Sequence, residues 1–240
     1  MIETIYYLVF GTVFGAGLGW LIQRWVQSFQ FKLDDEGLKS SPKFEDNNTK
    51  NYLKFFSLLG FSIIIAISAV WRELNPYFLN DILFITSMTI IAQIDLKTMY
   101  IEGRTIAFAA IMRMVWILYF EPQEIFNYLT GFFLGAGLLY FISFFYQTLR
   151  NRQGLGDGDA AVFGLIGLWI GWQSMWSVLL IAALSGVIIS SFYLLKQRQK
   201  HQKISILLKT KIPFAPYLCF GGLLVYLLKE TDYFNFNQLF

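Results

Sequence analysis

The chain alternates long apolar stretches with shorter polar ones along its whole length. A transmembrane helix needs about 20 predominantly apolar residues, and the apolar stretches approach that length. They are residues 5–22, 52–71, 78–95, 105–120, 125–147, 159–172, 174–195 and 213–228. The stretch 105–120 is short and contains Arg113, and 159–195 is too long for one crossing and tight for two. The pattern predicts an all-α, polytopic integral membrane protein with about eight transmembrane helices.

The longest polar stretch separates the first two apolar ones. Residues 25–51 mix both charge signs with Pro, Ser and Asn, which is typical of a solvated loop. We therefore expect a single membrane domain over residues 1–240 with a short polar cytoplasmic loop at about 25–51. Glu3 precedes the first apolar stretch and Arg24 follows it, the reverse of a secretory signal peptide, so this stretch is predicted to be a retained helix.

The composition excludes several classes of protein. With 56% hydrophobic and 15% charged residues, the chain is too apolar for an ordinary soluble domain. Its one cysteine, Cys219, allows neither an internal disulfide nor a cysteine-based metal site within one chain. The basic loops near the membrane favour anionic lipids as partners rather than nucleic acid. The segment "GLGDGD" is not a phosphate-binding loop, because no β-α-β context surrounds it.

The distribution of cations predicts the orientation, because Lys and Arg accumulate in cytoplasmic loops. With eight crossings and the N-terminus outside, every Lys and Arg except Arg72, Arg113 and Lys229 falls on the cytoplasmic side or at its boundary. The basic loops 148–158 and 196–212 are both expected in the cytoplasm, so the chain must cross the membrane an even number of times between them. This predicts a turn near 172–174 that divides the apolar stretch into two crossings. We expect a multi-pass protein of the bacterial plasma (inner) membrane with both termini outside.

Two acids lie where apolar stretches reach the predicted cytoplasmic face, namely Asp95 and Asp159. A single aspartate at a helix end is most often an N-cap or an interfacial anchor. Two carboxylates in one site of low dielectric, however, share a proton, so that one acts as a base on water while the protonated one polarises a carbonyl. This is the arrangement of an aspartic peptidase. Nearby glycines at 154, 156 and 158 would let backbone and substrate approach the acids.

These motifs resemble those of the type IV prepilin peptidases, membrane aspartic peptidases with a Gly-x-Gly-Asp motif. The resemblance spans most of the chain, through "GAGLGWLIQR", "IDLKTMYIEGR", "GDGDAAVFGLIGLWIGW" and "KIPFAPYLCFGG". It implies that Asp95 and Asp159 are catalytic. The family's glycine and tryptophan, eight and ten residues after the motif aspartate, fall on Gly167 and Trp169 only when counted from Asp159.

The remaining residues of the motif are given supporting roles. Gly156, Asp157 and Gly158 are expected to support the motif or bind substrate. Asp157 occupies the variable position of the motif, where a helix N-cap is the preferred interpretation. The family's lysine two residues after the second aspartate is Ala161 here, and its Pro-Asp after the first is Glu102-Gly103. Neither change removes an acid of the pair.

The resemblance implies an endopeptidase that cleaves the leader of type IV prepilins or pseudopilins after a glycine at the cytoplasmic face. Many members also N-methylate the new N-terminus with S-adenosylmethionine, and many bind zinc through cysteine pairs in the first loop. Residues 25–51 contain no cysteine, so zinc at that site is excluded. Proteolysis of this kind needs no cofactor, and S-adenosylmethionine is expected only if methylation is retained.

Alternatives remain open at this point. One is a non-enzymatic membrane protein, such as a transporter or an inactive relative that binds pilin-like helices, and another is a Gly-x-Gly-Asp peptidase acting on other helices. Glu102 and His201 are expected to be solvated side chains rather than functional ones. Arg113 either pairs with an acid, lines a watery cavity or reaches toward an interface. The small residues at 11, 15, 19, 131 and 135 predict close helix packing, and they leave the oligomeric state undetermined.

Overall fold

The computed structural model describes residues 2–35, 47–150, 156–198 and 213–230, and within these ranges the chain is entirely helical apart from turns. The helices are α1 (Ile2–Asp35), α2 (Asn47–Arg72), α3 (Pro76–Thr98), α4 (Gly103–Phe120), α5 (Ile125–Arg150), α6 (Asp157–Ile170), α7 (Met175–Arg198) and α8 (Ala215–Glu230), with a 3-10 turn at Pro122–Glu124. The predicted all-α fold is confirmed.

The helices have the lengths and composition of membrane spans. Among the described residues, five helical segments are long and apolar enough to cross a bilayer. Three shorter apolar segments accompany them, at Leu59–Arg72, Gly158–Ile170 and Ala215–Lys229. The protein is therefore a polytopic helical membrane protein, as its hydropathy predicts.

The boundaries follow the predicted spans closely, with one difference. The turn predicted near 172–174 is confirmed, because α6 ends at Ile170 and α7 begins at Met175. Part of the predicted polar loop at 25–51 is helical, since α1 continues to Asp35 and α2 begins at Asn47. Hydropathy identifies only the part of a helix that lies within the lipid, whereas the helix itself can continue into polar sequence outside the membrane. Gly154, His201 and most of the predicted basic loop at 196–212 lie outside the described residues.

The chain divides into two compact units, Met1–Ala109 and Ala110–Phe240, with the boundary inside α4. In the first unit, α1 packs against α2 through glycine. A Cβ atom on Gly11 would lie 2.6 Å from the Cα of Ala66, and one on Gly15 would lie 2.9 Å from the Cα of Ser62. These two glycines of the predicted small-residue stripe are therefore used for close packing within the chain.

A buried acid holds the α2–α3 hairpin of the first unit. Asp81 accepts a 2.6 Å hydrogen bond from the hydroxyl of Ser68 and pairs with the guanidinium of Arg72 at 3.1 Å. The side chain of Asn75 caps α3, and Pro76 follows it at the first helical position, where proline lacks only an N–H that the helix does not use. The sequence pattern did not single out Asp81, because one acid within an apolar stretch does not reveal its partner.

The second unit is built around α6. Its residues 162–170 are all buried. The contacts with α5 are antiparallel, since Gly131 faces Gly167 while Gly135 faces Phe163, and a Cβ atom on Gly135 would lie 2.8 Å from the carbonyl oxygen of Phe163. On another side α8 approaches, and a Cβ atom on Gly222 would lie 3.0 Å from the side chain of Ile166. The short helix that carries Asp159 is thus enclosed by neighbouring helices.

Candidate active site

Asp159 lies in the first turn of α6, on a helix N-terminus whose backbone is shaped by glycine. Gly156 is the N-cap residue, with extended backbone angles (φ −74°, ψ 139°). Its N–H donates a 3.3 Å hydrogen bond to Oδ2 of Asp159, and the N–H of Asp159 donates to the carbonyl of Gly156 at 3.0 Å. The Asp159 side chain is buried, with 7% of its surface exposed. The Gly-x-Gly-Asp segment therefore folds a buried carboxylate back onto the start of its own helix.

A second helix N-terminus acts on the same carboxylate. The backbone amide of Ala215, the first residue of α8, interacts with Asp159. Ala215 is fully buried, and the carbonyl of the preceding Phe214 accepts the N–H groups of Tyr217 and Leu218 as α8 begins. Helix N-termini carry free N–H groups and a partial positive charge, which favour a neighbouring carboxylate. Asp159 is thus placed where two helices begin.

The structure corrects the role expected for Asp157. Gly156 holds the N-cap position, and Asp157 is the first residue of α6. The N-cap interpretation of Asp157 is therefore wrong by one position. Gly158, the next residue, is half-buried. Asp157, Gly158 and Asp159 thus form the first turn of α6.

Asp95 lies in the first unit, near the C-terminal end of α3, and is 4% exposed. It continues the buried stripe of this helix, since Phe84, Met88, Ile91 and Asp95 recur at intervals of three and four residues and are all buried. The carboxyl side chain therefore belongs to the packed face of α3. Such a position is costly for a charged group and is usually retained for a function.

The chain turns sharply after Asp95. The N–H of Met99 donates to the carbonyl of Asp95 at 2.8 Å, and Met99 adopts the left-handed conformation (φ 51°) that ends many helices. Glu102 precedes the next helix, α4, and its carboxylate accepts a 2.9 Å hydrogen bond from the hydroxyl of Thr105 in the first turn. Glu102 is half-exposed, and its contact with Thr105 supports the start of α4.

Arg113 is the other ionisable residue that the sequence places within an apolar stretch. Its side chain is 2% exposed and pairs with Glu121 at 2.9 Å, so the first of its predicted alternatives, pairing with an acid, is confirmed. Arg113 also donates to the carbonyl oxygen of Leu168 at 3.3 Å, near the C-terminal end of α6. This polar cluster and Asp159 therefore lie at opposite ends of the same helix.

A cavity of about 250 Å³ opens between α5, α6 and α7 in the second unit. Its walls are apolar and include Phe133, Phe141, Phe163, Trp172 and Trp176. A methyl donor such as S-adenosylmethionine needs polar partners for its amino acid and ribose groups, so this cavity does not fit that cofactor. Within the described ranges, no three His, Cys, Asp or Glu side chains are grouped closely enough to hold a metal ion.

Asp95 and Asp159 lie within a segment that is similar to a known protein family. The sequence model of the type IV leader peptidase family matches residues 82–191. This segment resembles the type IV leader peptidases. The resemblance inferred from the motifs is confirmed here, over a segment that contains both Asp95 and Asp159.

Individual leader peptidases show the same similarity. A prepilin leader peptidase/N-methyltransferase of Legionella pneumophila is 37% identical over 84 residues, 35% of this chain and 26% of that protein. A protein of the same name from Aeromonas salmonicida is 33% identical over 92 residues, which are 38% of this chain and 29% of that protein. Another from Pseudomonas putida is 28% identical over 109 residues, which are 45% of this chain and 35% of that protein. The chain thus spans about a third or less of the length of these relatives. No solved structure matches it.

The structure explains two glycines that follow Asp159 in α6 and at its end. Gly167 lies against Gly131 of α5, where a side chain would collide with backbone, so the helix pair needs glycine there. Gly171 has a positive φ of 76° and ends α6, a conformation that favours glycine. The spacing from Asp159 to Gly167 therefore reflects the packing of α6 against α5.

Sequence reasoning missed the contribution of Ala215. The segment "KIPFAPYLCFGG" resembles the family's sequence, and the resemblance assigns no role to any residue in it. In the structure its Ala215 amide faces Asp159, which is far away in sequence. The signal in the sequence is the proline on each side of Phe214-Ala215, since proline is favoured at the start of a helix, where the first N–H groups have no partner within the helix.

Proposed function

We propose that this protein is a membrane aspartic endopeptidase that removes the leader peptide of type IV prepilins or pseudopilins. The observation that carries the proposal is the buried Asp159 carboxylate, held at the starts of α6 and α8 in a Gly-x-Gly-Asp segment that resembles the leader peptidases. The names of the relatives support the choice of substrate.

In the proposed mechanism, Asp95 and Asp159 act as a pair that shares one proton. The ionised carboxylate removes a proton from water, and the water oxygen adds to the carbonyl carbon of the scissile peptide bond. The protonated carboxyl donates to the carbonyl oxygen, and a proton then passes to the leaving nitrogen as the C–N bond breaks. The products are the leader with a new carboxylate and the pilin with a new amino group. These steps need neither metal nor cofactor.

We infer that the reaction takes place at the cytoplasmic face of the inner membrane. The distribution of Lys and Arg supports an orientation with both termini outside, in which α3 ends and α6 begins on the cytoplasmic side. A prepilin leader is basic and would meet the acids there. Methylation of the new N-terminus is a separate activity, which the names of the relatives suggest and which would require S-adenosylmethionine.

Purified protein in liposomes, incubated with a full-length type IV prepilin, tests the proposal. We expect the wild-type protein to release the leader, and expect Asp95→Asn and Asp159→Asn each to reduce the rate by ~10²-fold to 10⁴-fold or more, the contribution of a general acid or base. Two matched controls change a neighbouring acid in the same way. Asp157→Asn beside Asp159 and Glu102→Gln after Asp95 should retain cleavage.

Two outcomes would contradict the assignment. If Asp159→Asn cleaved normally while Asp157→Asn did not, Asp157 rather than Asp159 would be the catalytic aspartate of the motif. If the wild-type protein bound the prepilin without cutting it, the chain would be a non-enzymatic protein that binds pilin-like helices.

A further inference from the structure

The helix that carries Asp159 is unusually short for a membrane segment. α6 has 14 residues, which corresponds to a length of about 21 Å, whereas the hydrocarbon core of a bilayer is about 30 Å thick. At least one end of α6 therefore lies at a depth where water is scarce. The last carbonyl groups of a helix have no partners within the helix, and leaving them unsatisfied in the hydrocarbon region is costly.

Two cations from different helices bind these carbonyl groups. Nε of Arg113, on α4, donates to the carbonyl oxygen of Leu168 at 3.3 Å. Nζ of Lys229, on α8, donates to the carbonyl oxygen of Ile170 at 3.1 Å. A helix C-terminus carries a partial negative charge, so cations placed there are stabilised electrostatically as well.

The guanidinium of Arg113 is itself held from several sides. Glu121 pairs with it at 2.9 Å and also accepts a 3.2 Å hydrogen bond from the indole N–H of Trp116. The guanidinium carbon lies 4.6 Å from the ring centre of Tyr128 and 5.7 Å from that of Trp169. Both distances suit a cation–π interaction. Arg113 is therefore a fixed anchor point rather than a mobile surface charge.

The contacts of α6 with α5 are of a different kind. Its interface with α5 is built from small residues, with Gly131 and Gly135 lying against the backbone of Gly167 and Phe163. Such surfaces allow close approach, and packed helices can shear past each other by small amounts. The cations at the C-terminal end supply directional contacts that define the axial position.

We propose that Arg113 and Lys229 are positioning residues for Asp159. By binding the last carbonyl groups of α6, they fix the depth of this helix in the membrane and hence the depth of the carboxylate about 17 Å away at its other end. Their link to cleavage rests on the proposed peptidase function. Without the cations, the carbonyl groups at the C-terminal end of α6 would gain water only if the helix moved along its axis in the direction of that C-terminal end. This movement would draw Asp159, at the N-terminal end, deeper into the membrane.

The test is prepilin cleavage by Lys229→Met in liposomes whose lipids have increasing acyl-chain length. Because a misplacement of 1 Å can cost ~10²-fold in rate, we expect kcat to fall by about tenfold or more in thick bilayers with KM unchanged. In thin bilayers the carbonyl groups lie close to the interface, so the rate should return toward that of the wild-type protein. Lys229→Arg preserves the charge and should cleave normally at every thickness.

Arg113→Gln should behave like Lys229→Met. The matched control is Arg72→Gln, which also removes a cation paired with an acid but belongs to the first unit and binds no carbonyl group of α6 in the contacts described above. This control should show no dependence on thickness. If Arg113→Gln does not fold, the Lys229 variants carry the test, because Lys229 is only half-buried.

A second readout does not depend on cleavage. In a Cys219→Ala background, Asp157→Cys places a thiol at the start of α6, where its reaction with a membrane-impermeant maleimide reports depth. Adding Lys229→Met should slow the labelling several-fold in thick bilayers.

If labelling shifts although even the wild-type protein cuts no prepilin, the positioning of α6 stands and the proposed function falls. Unchanged labelling together with an equal loss of kcat at every thickness would overturn the positioning role.

Discussion

Gly156 and Asp159 are joined by a 3.3 Å hydrogen bond from the glycine N–H to the aspartate Oδ2. A Cβ atom added at Gly156 would lie 3.3 Å from the same oxygen, closer than an ordinary contact. The N–H of Gly156 therefore donates a hydrogen bond to the Asp159 carboxylate, and the absence of a side chain at Gly156 leaves space for that carboxylate. This relationship gives the Gly-x-Gly-Asp motif a local physical reason.

Gly156→Ala should therefore impair cleavage without unfolding the protein. The added methyl group displaces the Asp159 carboxylate, and we expect kcat to fall by up to ~10²-fold. Steady-state cleavage of a prepilin measures this. Gly137→Ala on α5, where a Cβ atom meets nothing within 4 Å, is the control and should cleave normally. Equal rates for the two variants would mean that Gly156 does not shape the site.

Gly15→Ala tests the close packing of α1 on α2. Its new methyl group would lie 2.9 Å from the Cα of Ser62, so the helices must separate, and we expect a loss of about 1–3 kcal/mol in unfolding free energy. Gly17→Ala, two residues away on the same helix, meets nothing within 4 Å and should be neutral or slightly stabilising. Reversible unfolding in detergent micelles measures both. A stable Gly15→Ala would show that α1 does not need this contact.

Ser68→Ala tests the buried acid in the α2–α3 hairpin. The change removes the 2.6 Å hydrogen bond to Asp81 and should lower the unfolding free energy by about 1 kcal/mol. The hydroxyl of Ser185 donates to the carbonyl of Ala182 within its own helix, so Ser185→Ala should have a smaller effect. Unfolding curves of the two variants, compared with the wild-type curve, decide between these outcomes, and equal stabilities would contradict the prediction.

Cross-linking tests the pairing of Asp95 with Asp159. In a Cys219→Ala background, cysteines at positions 95 and 159 should be joined rapidly by a short bifunctional thiol reagent, because the proposed mechanism requires both side chains at one substrate bond. Cysteines at positions 102 and 159 form the control pair and should react more slowly. Faster reaction of the control pair would contradict a shared site.

The membrane helices could be predicted from the sequence because hydropathy and charge act locally. The turn between α6 and α7 followed from the need for two basic loops on one side, and it lies between Ile170 and Met175 as expected. The end of α1 was not predictable in this way. Its helix continues into polar sequence to Asp35, since backbone hydrogen bonds need no apolar side chains outside the membrane.

The candidate site could be predicted only in part, because its contacts join distant segments. Counting along the motif selected Asp159, but nothing in the order of residues indicates that the amide of Ala215 faces it. In the same way, Arg113 was recognised as unusual, whereas its contact with the carbonyl of Leu168 depends on how α4 and α6 pack. The one-residue error at Asp157 reflects how finely a helix start depends on backbone angles.

The most direct test is the mass of a pilin's N-terminus isolated from cells that lack any other leader peptidase, with and without this protein. We predict that the protein shortens the prepilin by its leader, with a single cut after the glycine that precedes the hydrophobic helix. A further increase by the mass of one methyl group would report N-methylation in the same spectrum. A pilin that keeps its leader in the presence of the folded protein would contradict the account.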